Sequence, residues 1–136
     1  TVDPGVPQGV AIPFNTYTTL LYQFVRQNGA VGWTGTSFTV VEQGTYALHA
    51  QVTLLATPNN TDVNMAIFVN GIVRVEGTIF RTEGIVNAPV SVSSTNLALS
   101  PGDVVTFRAR HNAVATVLGY ADTTKERNFA TITQVN

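Results

Sequence analysis

The stretch that most restricts the fold is residues 45–54, where Tyr46, Leu48, Ala50, Val52 and Leu54 are apolar and the intervening Thr45, Ala47, His49, Gln51 and Thr53 are small or polar. A period of two places every apolar side chain on one face of an extended chain, so this segment predicts a strand with one buried face. Phe38-Thr39-Val40 alternates in the same way just upstream, and Glu42-Gln43-Gly44 reads as the turn of a tight antiparallel hairpin. Leu97-Ala98-Leu99, Ser100-Pro101-Gly102-Asp103 and residues 104–109 predict a second hairpin of the same kind, with proline and glycine at the two central positions of a type II turn.

The 136 residues suit one domain with a single core. Only 11% of them are charged while 44% are hydrophobic, against about 25% charged in an average soluble domain. Part of the outer surface is therefore apolar or merely hydroxylated, which favours self-association. A net charge of −1 without a Lys/Arg run argues against nucleic acid or an anionic membrane as partner. No apolar run approaches the roughly 18 residues that span a bilayer, so no membrane insertion is expected, and no signal-peptide pattern opens the sequence. With no cysteine, disulfides and thiolate metal sites are excluded and stability must come from packing and assembly.

Residues 1–8 carry two prolines and a glycine without periodicity and read as an extended lead-in or the end of a stalk, leaving residues 9–136 as the folded domain. Residues 10–14 alternate as a first strand. Residues 20–25 are apolar on both faces, which suits a strand with a dry subunit interface behind it. Trp33 follows in a glycine-rich connection, and Asn59-Asn60-Thr61, in a polar loop, matches the N-glycosylation acceptor pattern. Asn70-Gly71 is a hairpin signal. A two-residue loop there would pair Val69 with Ile72 and turn Arg74 and Glu76 toward the core, so a three-residue loop is expected, with Gly71 left-handed, Phe68 opposite Ile72 on the outer face, and Val73 and Val75 beside Met65 and Ile67. Val90 and Val92 fall on even positions but Leu97 and Leu99 on odd ones, which requires an irregularity within Ser93–Asn96. Val105, Phe107 and Ala109 should face inward and Arg108 and Arg110 outward. The closing strand starts at Phe129. About ten short antiparallel strands with turn signals between them predict an all-β sandwich or barrel whose first and last strands pair.

The run Phe38-x-Val40-x-x-x-Gly44-x-Tyr46-x-Leu48, the Asn70-Gly71 turn, Leu97-x-Leu99-x-x-Gly102-Asp103-x-Val105 and the Phe129 strand together resemble the globular-head domain of the complement component 1q / tumour necrosis factor superfamily, over roughly Gly9 to the C-terminus. The microbial and phage members, which cap collagen-like or fibrous stalks on spores, cells and capsids, are the most similar. The resemblance implies a ten-stranded jelly-roll sandwich assembling as a homotrimer. In that family the positions of Phe38, Gly44, Tyr46, Gly71, Gly102 and Asp103 fill the core and form turns.

Catalytic chemistry is not legible. No G-x-S-x-G elbow marks a serine, and His49 and His111 read as surface or interface histidines. Some members of the family bind calcium near the threefold apex, but no D-x-D-type cluster is present here, so no metal or other cofactor is expected. Tyr22, Phe24, Phe68, Ile72 and Tyr120 are the candidate trimer contacts, as aromatic or apolar residues on non-core positions. Trp33, Arg108 and Arg110 are candidates for binding a glycan or a protein receptor, the arginines because guanidinium forks suit anionic groups. The expected function is a non-enzymatic trimeric head at the tip of a fibre or filament on a virion, spore or cell surface, serving assembly and attachment. The alternatives are a carbohydrate-binding adhesin and a capsid decoration protein.

Overall fold

The computed structural model describes residues 11–12, 15–20, 25–28, 36–113, 117–119 and 129–135. Among them are twelve strands: β1 (Ala11–Ile12), β2 (Thr18–Thr19), β3 (Val25–Asn28), β4 (Phe38–Thr39), β5 (Gly44–Thr57), β6 (Asp62–Val69), β7 (Ile72–Glu76), β8 (Phe80–Arg81), β9 (Val86–Leu99), β10 (Val104–His111), β11 (Val117–Gly119) and β12 (Phe129–Gln134). They form two sheets around one core. The first is organised on β5, with β9 along one edge and β12 and β11 sharing the other; β1 lies outside β11, and β3 runs parallel to β12. In the second sheet β10 pairs with β6 on one edge and with β2 and β4 on the other, while β7 and β8 pair with the far edge of β6.

The alternation in β5 does what its period demands: Tyr46, Leu48, Ala50, Val52 and Leu54 are all buried. Facing them from the second sheet are Val63, Met65, Ile67 and Val69 of β6 and Val105, Phe107 and Ala109 of β10, with Ile12, Leu20, Phe38 and Val40 completing the core. The expected irregularity in β9 is present. Tyr46 pairs with Leu97 but Leu48 with Ser94, so β9 spends one residue more than β5 between the two pairs, and Val90, Val92, Leu97 and Leu99 all reach the core.

Neither expected hairpin forms. Strand β4 belongs to the second sheet and β5 to the first, so Glu42-Gln43-Gly44 carries the chain across the sandwich. Phe38 and Val40 are buried as alternation requires, but from the opposite wall of the core. The Tyr46 hydroxyl reaches back to donate to the Glu42 carbonyl at 2.5 Å and braces the crossing. Burial pushes the Tyr46 phenol up from its usual range, and the charge of Glu42 adds to the effect. The second turn is built as expected, with the Asp103 N–H donating to the Ser100 carbonyl at 3.0 Å and Gly102 at φ +91°, but it also joins the two sheets, β9 to β10. The two crossings lock together: Val40 N–H donates to the Asp103 carbonyl and Gly102 N–H to the Val40 carbonyl, both at 2.8 Å. Both arms of each turn bury the same residues whether they pair in one sheet or face each other across the core, which is why alternation did not separate the two cases.

The Asn70-Gly71 turn corrects a further expectation. Asn70 (φ 54°) and Gly71 (φ 78°) form a two-residue loop with Val69 opposite Ile72 and Phe68 opposite Val73. The bulge lies in the strand instead: Ile67 pairs with Val75, so Arg74 is the extra residue. Val75 thereby packs against the core and Arg74 stays exposed, but Val73 points outward and is 39% exposed. The outermost strands do not pair with each other either; β1 pairs with β11, while β12 lies between β5 and β3.

Candidate functional site: an arginine and aromatic face

Because Val105, Phe107, Ala109 and His111 point into the core, Thr106, Arg108 and Arg110 project from the outer face of β10. Their cross-strand partners on β6 are Phe68, Ala66 and Asn64. Ala66 leaves room opposite Arg108, whose guanidinium carbon lies diagonally over the Phe68 ring at 4.2 Å from its centroid. Tyr17, just before β2, meets Phe68 edge-on at 5.2 Å, and the Arg110 guanidinium carbon lies 5.1 Å from the Tyr17 centroid. Cation, ring, ring and cation thus form one connected group.

Hydrogen bonds fix its parts. Asn64 Nδ2 donates to the Tyr17 hydroxyl at 2.8 Å, Arg110 Nε to Asn64 Oδ1 at 3.3 Å, and Arg108 Nε to Thr106 Oγ1 at 3.1 Å. Asn64 is 1% and Phe68 8% exposed, so both belong to the protomer interior although they lie outside the main core. The two guanidiniums are half-buried. At i, i+2 on a strand their attachment points are roughly 7 Å apart, where like charges repel by about 0.6 to 2.4 kcal/mol depending on local polarity. Each cation–π contact returns about 0.5–1 kcal/mol. Among the described residues neither arginine has a carboxylate within ion-pair distance. Asp62 is close enough for the charge of Arg110 to help lower its pKa, but the chief cause is Arg81, which grips it through Nε at 2.7 Å and Nη2 at 3.1 Å.

Of the residues singled out from the sequence, the structure brings Phe68, Arg108 and Arg110 together. Phe68 and Ile72 are not the joint outer patch that was expected: the one-residue change in the turn puts them on opposite faces, with Phe68 covered by Tyr17 and Arg108 and Ile72 66% exposed at the hairpin tip. Tyr22, Phe24, Trp33 and Tyr120 lie outside the described residues. Phe38 and Tyr46 are core neighbours with ring centroids 6.0 Å apart. Asn70 and Asp103 join the two turns: Asn70 Nδ2 donates to Asp103 Oδ1 at 3.0 Å, and Asn70 Oδ1 accepts the Val104 N–H at 2.9 Å. The Ser100 N–H, with the Asn70 amide, holds the Asp103 carboxyl below the usual carboxylate range. Gly44 opens β5, and Phe129 lies on the outer face of the first sheet, edge-on to His49 at 5.2 Å.

His49 is exposed, as its place on the polar face of β5 suggests, but His111 is fully buried. Its Nδ1 accepts the Ala113 N–H at 3.0 Å, two residues on, and its Nε2 donates to the Ile12 carbonyl at 2.5 Å, so both ring nitrogens are engaged and the second ties β1 to β10. Tyr17 and Asn64 were not anticipated. The available signal for Asn64 was a polar residue in phase with Ala66 and Phe68 on a strand whose other residues after Asp62 are all apolar. Among the described residues no three His, Cys, Asp or Glu side chains converge as a metal site would require.

A second region lies at the open edge of the sandwich. Ile72, Val73, Ile79, Phe80 and Ile85 are all exposed within one short stretch. Gly77 follows β7 and stays on the edge of β6, its N–H donating to the Met65 carbonyl at 2.7 Å, and passes so close to β9 that a Cβ there would lie 2.6 Å from the Ser91 carbonyl oxygen. Residues 76–80 and the edge of β9 that is unpaired among the described residues flank a cleft of about 380 Å³, lined by Glu76, Thr78, Phe80, Pro89, Ser91 and Ser93 among others.

The two-sheet sandwich, antiparallel except where β3 runs beside β12 and crossed repeatedly by the chain, is the tumour necrosis factor-like jelly roll. Its fold is shared with Eiger TNF from S. frugiperda, at a TM-score of 0.53 and 13% identity over 95% of this chain and 94% of that one. Murine APRIL at pH 5.0 aligns at 0.45 and 19% identity over 85% of this chain and 98% of its own, and rabbit GITRL at 0.40 and 12% over 72% and 81%. No family model and no curated protein sequence matches the chain.

Proposed function

We propose that this protein is a non-enzymatic, homotrimeric head domain on the outside of a virion, spore or cell, with residues 1–8 leading from a fibre or stalk, and that it serves assembly and attachment to a surface receptor. The observation that carries the reading is the coexistence on one protomer of an exposed apolar edge and a sheet whose central strands carry no charge. Strands β5, β9 and β12 contain no Asp, Glu, Lys or Arg at all, so their outer face can be covered without stripping water from an ion. Ile79, Phe80 and Ile85, 55%, 45% and 76% exposed, are the residues that need covering. An edge of one copy against the sheet face of the next is a heterologous contact, and such contacts close into a ring when the rotation permits. Ile72 extends the same edge and keeps its place as an interface candidate, whereas Phe68 serves the protomer. The arginine and aromatic face lies on the other sheet and stays available to a partner.

Sedimentation and light scattering test the assembly. The expected result is the mass of three chains, falling to one chain in Phe80→Asp; a monodisperse single chain for the unmodified protein overturns the proposal.

A further inference from the structure

We propose that the outer face of β10 and β6 binds an acidic polysaccharide, whose carboxylate or sulfate groups pair with Arg108 and Arg110. The inference rests on the reading of this face as the one left open to a partner, and adds the chemistry of that partner. Two guanidiniums without an acidic partner among the described residues, on a protein of net charge −1, are a local exception to its charge balance. Among the described residues their side-chain hydrogen bonds, to Thr106 and Asn64, are made through Nε, which leaves the terminal N–H donors for a ligand. Stacking on Phe68 and Tyr17 fixes the guanidinium planes before any ligand arrives, so less side-chain freedom is lost on binding.

Three features favour a sugar polymer over an acidic peptide. Peptides gain much of their affinity by pairing with a strand edge or filling apolar pockets. Here β10 and β6 pair with each other, and among the described residues β2 and β4 occupy much of the other edge of β10 and β7 and β8 most of the other edge of β6, which leaves little main chain for a peptide to pair with. This face carries two exposed apolar side chains, Val104 at the start of β10 and Val73 opposite Phe68, at 37% and 39% exposure, while the more exposed Ile72, Ile79, Phe80 and Ile85 belong to the hairpin tip and the residues that follow it. What remains is flat, hydroxylated by Tyr17, Thr19 and Thr106, and doubly cationic, which suits anions recurring along a hydroxyl-rich chain. Because the arginines already cover Phe68 and Tyr17, the rings are not stacking platforms for neutral sugars.

The test is calorimetric titration of the full chain with a polyuronate hexamer, a sulfated hexamer of the same length, a neutral hexamer and hexaglutamate. Binding of either acidic sugar, weakening as salt rises and at least tenfold weaker in both Arg108→Gln and Arg110→Gln, supports the proposal, and the tighter of the two identifies the anion. Arg108→Lys, which keeps the charge and loses the fork, should fall between the unmodified protein and Arg108→Gln. No binding of either acidic sugar at millimolar concentration, equal binding in the Gln variants with unchanged melting temperature, or hexaglutamate binding as tightly with the same arginine dependence each overturns it. Light scattering on the same samples separates the two proposals: a single chain that binds the acidic sugar sinks the trimer and supports this inference, and a trimer that ignores it does the reverse.

Discussion

The two outer faces of the sandwich differ in the side chains they can afford to have covered. Apart from Arg26 in β3, every Asp, Glu, Lys or Arg placed in a strand belongs to the second sheet. The first sheet offers hydroxyls, alanine, glutamine and the His49–Phe129 pair. Burying a charge is costly unless a partner is supplied, whereas hydroxyls and amides can hydrogen-bond to almost any neighbour. Covering the first face would thus strip water from few charges, whereas covering the second would desolvate its stacked arginines.

The most drastic way to break this contrast is to charge the neutral face. His49→Glu should reduce the light-scattering mass from three chains to one, and Thr106→Glu on the opposite face should leave it unchanged; the reverse pattern would exchange the roles of the sheets. Next in size, Phe68→Ala should cost about 3 kcal/mol in denaturant unfolding, because a nearly buried ring is removed from beneath Arg108. A loss below about 1 kcal/mol would mean that the surrounding group closes over the gap.

Acid should act through the second sheet and its turns. The carboxyls of Asp62 and Asp103 are both held below their ordinary range, by the Arg81 guanidinium and by the Ser100 N–H with the Asn70 amide. A carboxylate with a lowered folded-state pKa contributes stability that is present above its unfolded value, about 3.9, and is lost as the pH falls through the folded value. The melting temperature should therefore drop progressively below about pH 5, and less steeply in Asp103→Asn; an identical slope in that variant would remove Asp103 from the account. The smallest expected effect is that of Arg110→Lys, about 0.5–1 kcal/mol for a weakened contact with Tyr17, read as a slight lowering of the denaturation midpoint.

Half of the candidate site was legible from the chain alone. The parity of Val105, Phe107 and Ala109 sent Arg108 and Arg110 outward. What those arginines rest on was not accessible, because Phe68 and Tyr17 are 40 or more positions away and reach them through strand pairing that local patterns do not encode. The error over Phe68 shows how little separates the two outcomes. Placing the extra residue in the loop instead of at Arg74 preserved the logic of burying Val75, yet gave Phe68 Ile72 as its neighbour in place of Val73.

The order of residues by itself determined which side chains face the core along β5, β6, β9 and β10, that β9 needs an irregularity between Ser93 and Asn96, and that the chain bends at Asn70-Gly71 and Pro101-Gly102. These follow from the two-residue period and from steric limits on φ, which act within a few residues. Only the tertiary structure decided that the bends at residues 42–44 and 100–103 cross between sheets and that β12 lies between β5 and β3. Only it revealed that an arginine, a phenylalanine and a tyrosine from three strands or their flanks make one surface. Burial requires an apolar side chain to meet other apolar side chains, and it is indifferent to whether they come from the neighbouring strand or from the far wall of the core.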